Sequence, residues 1–267
     1  MSKDVECFGR CWSRRRFLKA IGGATVGTLA LASGIAWLSG QKSVYELGQE
    51  KVIEYQTLCR PKIEELLGAE NYERCCAAMA SAYDAFAPRL PVLEDKNNRD
   101  VFFRNAPFML SLYRALLDEF ALSQEAALDT LSQITAYKVR EDYGNDPAMK
   151  FIMSRVARSD LLRKLFVSVW EREDEPYGWA TEFPQSDAYI AIDVTRCGLV
   201  DWYTDQGVPE IAPIGCEGDF IMAEFMTGLK LLRTKTIAGG DAICDFRYVR
   251  EPVRGDTHGQ AIHKHRV

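Results

Sequence analysis

From Val44 to about Trp170, apolar residues recur at intervals of three and four; beyond Gly178 they recur at every second position. The first period is that of a helix with one buried face, the second that of a half-buried strand. The spacing predicts one helix over residues 69–83, with Pro88 and Pro91 closing that region, and another over residues 102–120. Ser123 stands where an N-cap is needed, with Glu125 and Ala126 in the turn behind it. Pro147, tolerated at a first helical position, opens the next helix and sets Met149, Ile152, Met153 and Val156 on one face. These methionine and aromatic stripes are core positions.

Arg172 to Pro176 form a charged, proline-ended connector, after which the period changes. Residues 178–183 and 188–195 read as strands; in the second, Ile190, Ile192 and Val194 alternate with Tyr189, Ala191, Asp193 and Thr195. A short helix over residues 197–206 ends at Gly207, and Pro213 to Cys216 lead into another that reaches about Met226. Residues 229–237 and 243–249 predict a hairpin across Gly239 and Gly240. The expected fold is α+β: a helical N-terminal half packed on a C-terminal antiparallel β-β-α-α-β-β layer. Residues 41–252 make one domain in this reading, helical over 41–170 and bearing the site over 171–252. A polar, flexible tail over 253–267 follows.

The first forty residues have a different character. Ser13, Arg14, Arg15, Arg16, Phe17, Leu18 and Lys19 match the twin-arginine pattern S-R-R-x-F-L-K, and an uncharged run from Ala20 to Gln41 follows. Arg14, Arg15, Phe17 and Leu18 therefore predict an export address read by the Tat translocase, which carries folded proteins across the membrane. The apolar run is also long enough to serve as a membrane anchor, so the expected location is the periplasm or the outer side of the cytoplasmic membrane. Residues 1–38 hold six of the 33 Lys and Arg and two of the 38 Asp and Glu, leaving 27 basic against 36 acidic groups. An acidic body of that kind argues against a nucleic-acid partner, because binding phosphate requires a basic face.

Histidine is confined to His258, His263 and His265. That excludes a Ser-His-Asp or Cys-His site within residues 41–252, unless the tail folds back, and removes the usual zinc ligands. No cofactor or metal is expected. Acid/base work falls to carboxylates and thiols. Cys7 and Cys11 belong to the leader; Cys59, Cys75, Cys76, Cys197, Cys216 and Cys244 remain. The neighbours Cys75 and Cys76 point in different directions from one helix and read as packing residues rather than halves of disulfides.

Chemically capable residues concentrate between Asp193 and Tyr248. Cys216 is placed near a helix N-terminus, where free N–H groups favour a thiolate, and Asp219 lies one turn on, on the same face. A thiol beside a carboxylate can act as nucleophile and general acid/base. The same spacing also fits a small buried cysteine whose Asp219 caps the helix. Period two puts Cys197 on the polar face of Asp193 and Thr195. It also puts Asp245 and Arg247 on one side of the last strand and Cys244, Phe246 and Tyr248 on the other. Arg233 and Arg247 could fork onto a carboxylate substrate, or form a cross-strand ion pair with Asp245.

Taken in order, Val194-Thr195-Arg196-Cys197, Gly207 to Glu210, Cys216 with Asp219, Leu231-x-Arg233-Thr234-x-Thr236, Gly240 and Cys244 to Tyr248 resemble the L-2-amino-thiazoline-4-carboxylic acid hydrolase family. Gly218 departs from that pattern, in which a more polar, often basic residue is expected. The resemblance implies hydrolysis of a small-molecule substrate at an amidine-like carbon, as in ring opening of L-2-amino-Δ2-thiazoline-4-carboxylate to N-carbamoyl-L-cysteine. It implies catalytic roles for Cys216, Asp219 and Cys197, with water or a thiol attacking. Arg233 and Arg247 would hold the substrate carboxylate, and Asp245, Arg196 and Thr234 are further substrate-binding candidates. Two other readings stand beside it: an exported small-molecule-binding protein similar to vinyl-reductase-like domains, and a thiol redox or metal site built from Cys197, Cys216 and Cys244.

Overall fold

The computed structural model describes residues 42–172 and 174–251; the expected twin-arginine leader and the expected flexible tail over 253–267 lie outside the described residues. Helices α1 (Val44–Leu67), α2 (Tyr72–Phe86), α3 (Lys96–Asp118) and α4 (Gln124–Gly144) pack on one another in the N-terminal half. Their buried residues follow the predicted period, with Val52, Tyr55, Cys59 and Ile63 on α1 and Tyr72, Cys75, Met79, Tyr83 and Phe86 on α2. All six described cysteines are free thiols.

Side chains set several boundaries. Gly68, at φ 92°, and a 3-10 turn over Ala69–Asn71 delay α2 to Tyr72. Asp95 accepts a hydrogen bond from the Asn98 N–H, so α3 begins well ahead of Phe102. Ser123 caps α4 as expected, through the N–H of Ala126. Asp146 caps α5 (Pro147–Met153), accepting from Ala148 and Met149. Each such cap satisfies N–H groups that the helix leaves without partners.

After α6 (Asp160–Ser168) come β1 (Ala180–Glu182), β2 (Ile190–Arg196), α7 (Gly198–Asp205), α8 (Ala212–Glu224), β3 (Leu229–Leu232) and β4 (Cys244–Arg250). The β-β-α-α-β-β order is the expected one. All pairings are antiparallel, in the order β1-β2-β4-β3. Ile190, Ile192 and Val194 face Tyr248, Phe246 and Cys244 across the ladder, and these six side chains are buried. Asp193, Asp245 and Arg247 share the other, half-exposed face. Helix α8 lies on α4 and reaches β3, and one hydrophobic core runs from the α1 helix to Tyr248.

The predicted hairpin is shorter in strand and longer in loop than its apolar pattern suggests. The Asp245 carboxylate accepts from the Thr234 and Lys235 N–H groups, at 2.8 and 2.7 Å, and from the Thr234 hydroxyl at 2.7 Å. This draws the chain off the ladder after Leu232, and Gly240, at φ 95°, closes the 3-10 turn over Ile237–Gly239.

Candidate active site

The segment from Arg172 to Pro176, read from sequence as a plain connector, ties to the start of α3 and to the start of α7. The Glu175 carboxylate accepts from the N–H groups of Glu94 and Asp95 and from the Asn98 amide, which ties the segment to the start of α3. Buried Asn98 accepts in turn from the Trp179 N–H at 3.1 Å. A Cβ on Gly198 would stand 1.8 Å from the Tyr177 carbonyl oxygen, so only glycine lets α7 start against this turn. Cys197, the N-cap residue of α7, is thereby held at a fixed place.

Asp219 is the centre of the arrangement. Arg233 donates to its carboxylate at 2.6 Å and to the Cys216 carbonyl at 3.0 Å, so one guanidinium clamps two successive turns of α8. The Arg233 side chain is 3% exposed, while that of Asp219 keeps 28%. The guanidinium also lies 4.7 Å from the Phe220 ring and 5.3 Å from the Phe246 ring. Burial raises the Asp219 pKa to about 6, against the lowering effect of Arg233 and Arg172.

Three thiols lie within electrostatic reach of this carboxylate. Burial holds Cys216 up at about 12, with Asp219 and Cys197 adding to the rise. Cys197 is pushed up to about 11 by burial, although the Leu199 and Val200 N–H groups at the α7 N-terminus act to lower it. Cys244 is also raised by burial, and its sulfur accepts from the Ile237 N–H at 3.2 Å. The Tyr248 hydroxyl is fully buried without a hydrogen-bond partner, and it feels the charges of Asp219, Tyr143 and Arg233. Among the described residues, no three His, Cys, Asp or Glu side chains gather closely enough to hold a metal ion.

A family model described as L-2-amino-thiazoline-4-carboxylic acid hydrolase matches residues 102–248, more than half of the chain. The chain belongs to this hydrolase family. The match reaches back through α4 into α3, well beyond the motif-bearing segment from Val194 to Tyr248 that the sequence showed. No curated protein and no solved structure matches the chain.

In this hydrolase the sequence-derived site residues separate. Cys197, Cys216, Asp219 and Arg233 come together. Cys216, however, is not at a helix start: Pro213 sits in the first turn, and α8 begins at Ala212, so Cys216 lies in the second turn. The helix N-terminus belongs to Cys197 instead. Nor does Cys197 share the face of Asp193 and Thr195, because the chain turns into α7 there and the thiol lies within electrostatic reach of Cys244 and Asp219.

Arg247 is on the far side of the sheet, 2.7 Å from Asp193 and donating to the Ile192 and Phe246 carbonyls. Asp245 and Thr234 are occupied with each other in the β3–β4 loop, and neither arginine pairs with Asp245. Arg196 pairs with Asp174 and donates to the Glu175 carbonyl, a structural tie for the same connector. Gly218 faces α4, where a Cβ would stand 3.3 Å from Val139, so its small size serves helix packing.

The sequence reading missed Arg172, Tyr143 and Tyr248 as neighbours of Asp219. Arg172, two residues after Trp170 and seven before Trp179, carried a signal only in that aromatic flanking. Two surface clefts, of about 410 and 380 Å3, lie elsewhere, the first between α5 and the end of α8 and the second along Phe183 to Ala191. Neither touches Asp219 or a cysteine, so the chemistry of the buried cluster carries more weight than concavity does.

Proposed function

We propose that this hydrolase opens the ring of a small cyclic amidine carboxylate, with L-2-amino-Δ2-thiazoline-4-carboxylate as substrate and N-carbamoyl-L-cysteine as product. The observation that supports it is Asp219: a carboxylate fixed by Arg233, partly accessible, and titrating at about 6. A group of that pKa can accept and return a proton near neutral pH. The thiols are in a different position. Forming a thiolate at pH 7 from a group at about 11, as at Cys197, costs roughly 5 kcal/mol before any chemistry begins. Water is therefore the nucleophile in this reading, and Cys197, Cys216 and Cys244 form an uncharged, polarisable wall around the leaving sulfur.

Asp219 removes a proton from water as its oxygen bonds to C2, and the proton passes to the ring nitrogen. The added hydroxyl then gives up its own proton through Asp219 to the ring sulfur as the C2–S bond breaks. The carbon becomes the carbonyl of a carbamoyl group and retains the exocyclic amine, so one water is consumed and nothing else is gained or lost.

The test is incubation of the purified protein with L-2-amino-Δ2-thiazoline-4-carboxylate in 18O-labelled water, read by mass spectrometry. N-carbamoyl-cysteine with one 18O is expected. A folded protein that gives no product, and instead is purified with a tightly held small molecule, would favour the binding-protein reading. We also propose export through the Tat pathway, on the strength of Arg14, Arg15, Phe17 and Leu18. Replacing Arg14 and Arg15 together by lysine should leave the protein in the cytoplasmic fraction; unchanged export would refute the assignment.

A further inference from the structure

Four arginines were available to hold a substrate carboxylate, and three of them are engaged. Arg233 is spent on Asp219 and the Cys216 carbonyl, Arg247 on Asp193 behind the sheet, and Arg196 on Asp174 and the Glu175 carbonyl. Arg172 differs. Its guanidinium lies 5.3 Å from the Trp170 ring and 5.1 Å from the Trp179 ring, between two indoles. Its one hydrogen bond runs from Nε to the Val169 carbonyl at 3.1 Å, and among the described residues no carboxylate pairs with it. Among the described residues its other four N–H donors have no protein acceptor.

We propose that Arg172, flanked by Trp170 and Trp179, is the anion subsite of the hydrolase and selects a small carboxylate substrate. This rests on the hydrolase reading above. The place is right for it: Arg172 lies within electrostatic reach of both Cys197 and Asp219. A continuous aromatic wall links it to the reacting centre, because Trp170 stands 5.1 Å from Phe246 and Phe246 stands 5.3 Å from Arg233. The substrate ring lies along that wall with its carboxylate forked onto the two terminal nitrogens of Arg172, which turns C2 towards Asp219.

The chemistry favours an occupant. Burial lowers the Arg172 pKa to about 10, and the nearby Asp95 charge only partly offsets it. An arriving carboxylate adds a close counter-charge and fills the fork in one step, while the indole faces stabilise the cation. Glu175 and Asn98 anchor the segment independently of any ligand, so the subsite is preformed.

The experiment measures binding without turnover. Thiazolidine-4-carboxylate has the ring and the carboxylate but no amidine carbon to hydrolyse, and it is titrated calorimetrically into the full-length protein beside its carboxamide. Wild type should prefer the carboxylate by about 30-fold or more, the scale for a truncated charge pair in a desolvated site. Arg172→Gln should erase that preference, and Arg172→Lys, which keeps the charge but not the fork, should retain only part of it. No preference in wild type, or an unchanged preference in a folded Arg172→Gln, would overturn the subsite. Should Arg172→Gln fail to fold, an Arg172→Lys protein with full preference would do the same. Loss of turnover on the thiazoline with the carboxylate preference intact would sink the hydrolase reading and leave this one standing.

Discussion

At Asp219, burial and the Arg233 guanidinium pull the carboxyl in opposite directions, and burial prevails. The base form should therefore be the active form of the free enzyme, with kcat/KM rising as pH passes through about 6 and level above it. The sign for stability is the reverse. A carboxyl held above 3.8 binds its proton more tightly folded than unfolded, so its contribution to stability declines as pH rises from 3.8 to about 6. Asp219→Asn should keep the hydrogen bond to Arg233 while lowering kcat by about 10²–10⁴-fold, measured on the thiazoline. Cys197→Ser and Cys216→Ser should each stay within about tenfold of wild type, since the raised pKa of both thiols disfavours a thiolate nucleophile. A larger loss at Cys197, with a trapped adduct by mass, would instead make that residue the attacking group.

At the scale of elements, glycines distinguish a packing requirement from a conformational one. Gly198→Ala would drive a Cβ into the Tyr177 carbonyl and separate α7 from the connector; a loss of more than about 2 kcal/mol in urea unfolding is expected. Gly207, at φ 73°, has open space around it, so alanine there should cost only about 1 kcal/mol, the left-handed backbone penalty. The α7 change should also reduce activity, because it moves Cys197; the Gly207 change should not. Boundaries that the apolar pattern misplaced were set by polar side chains. Asp95 extended α3, and Asp245 ended β3 at Leu232 and released Arg233 to turn inward towards Asp219. Alternation reports which face of β2 and β4 is buried, but it carries no information about a carboxylate that captures two backbone amides.

Across the whole molecule, one core joins the helical half to the sheet, and it includes a buried charge. Lys138, 1% exposed, donates to Asn105 at 3.1 Å and lies 4.3 Å from the Tyr55 ring; burial lowers its pKa to about 8. An amine held below 10.5 in the fold binds fewer protons there than when unfolded, so its contribution to stability rises between about pH 8 and 10.5. Lys138→Met should be at least as stable as wild type at pH 7, and its advantage should shrink by roughly 3 kcal/mol by pH 10.5 in denaturant titrations at each pH. Since all six described cysteines are free, adding reductant should leave Tm unchanged.

The sequence by itself determined the class of the fold, the order of its C-terminal elements and the family, because periodicity and short motifs are local and survive reading in one dimension. It also brought Asp219 and Cys216 onto one helix face, a spacing of three residues that the helix alone dictates. Tertiary structure decided everything that depends on which charge meets which. It paired Arg233 with Asp219, sent Arg247 behind the sheet to Asp193, and left Arg172 beside two tryptophans with no ion pair among the described residues. The physical reason is that a guanidinium takes its role from the partners and burial around it, and those come from segments that the chain order keeps far apart.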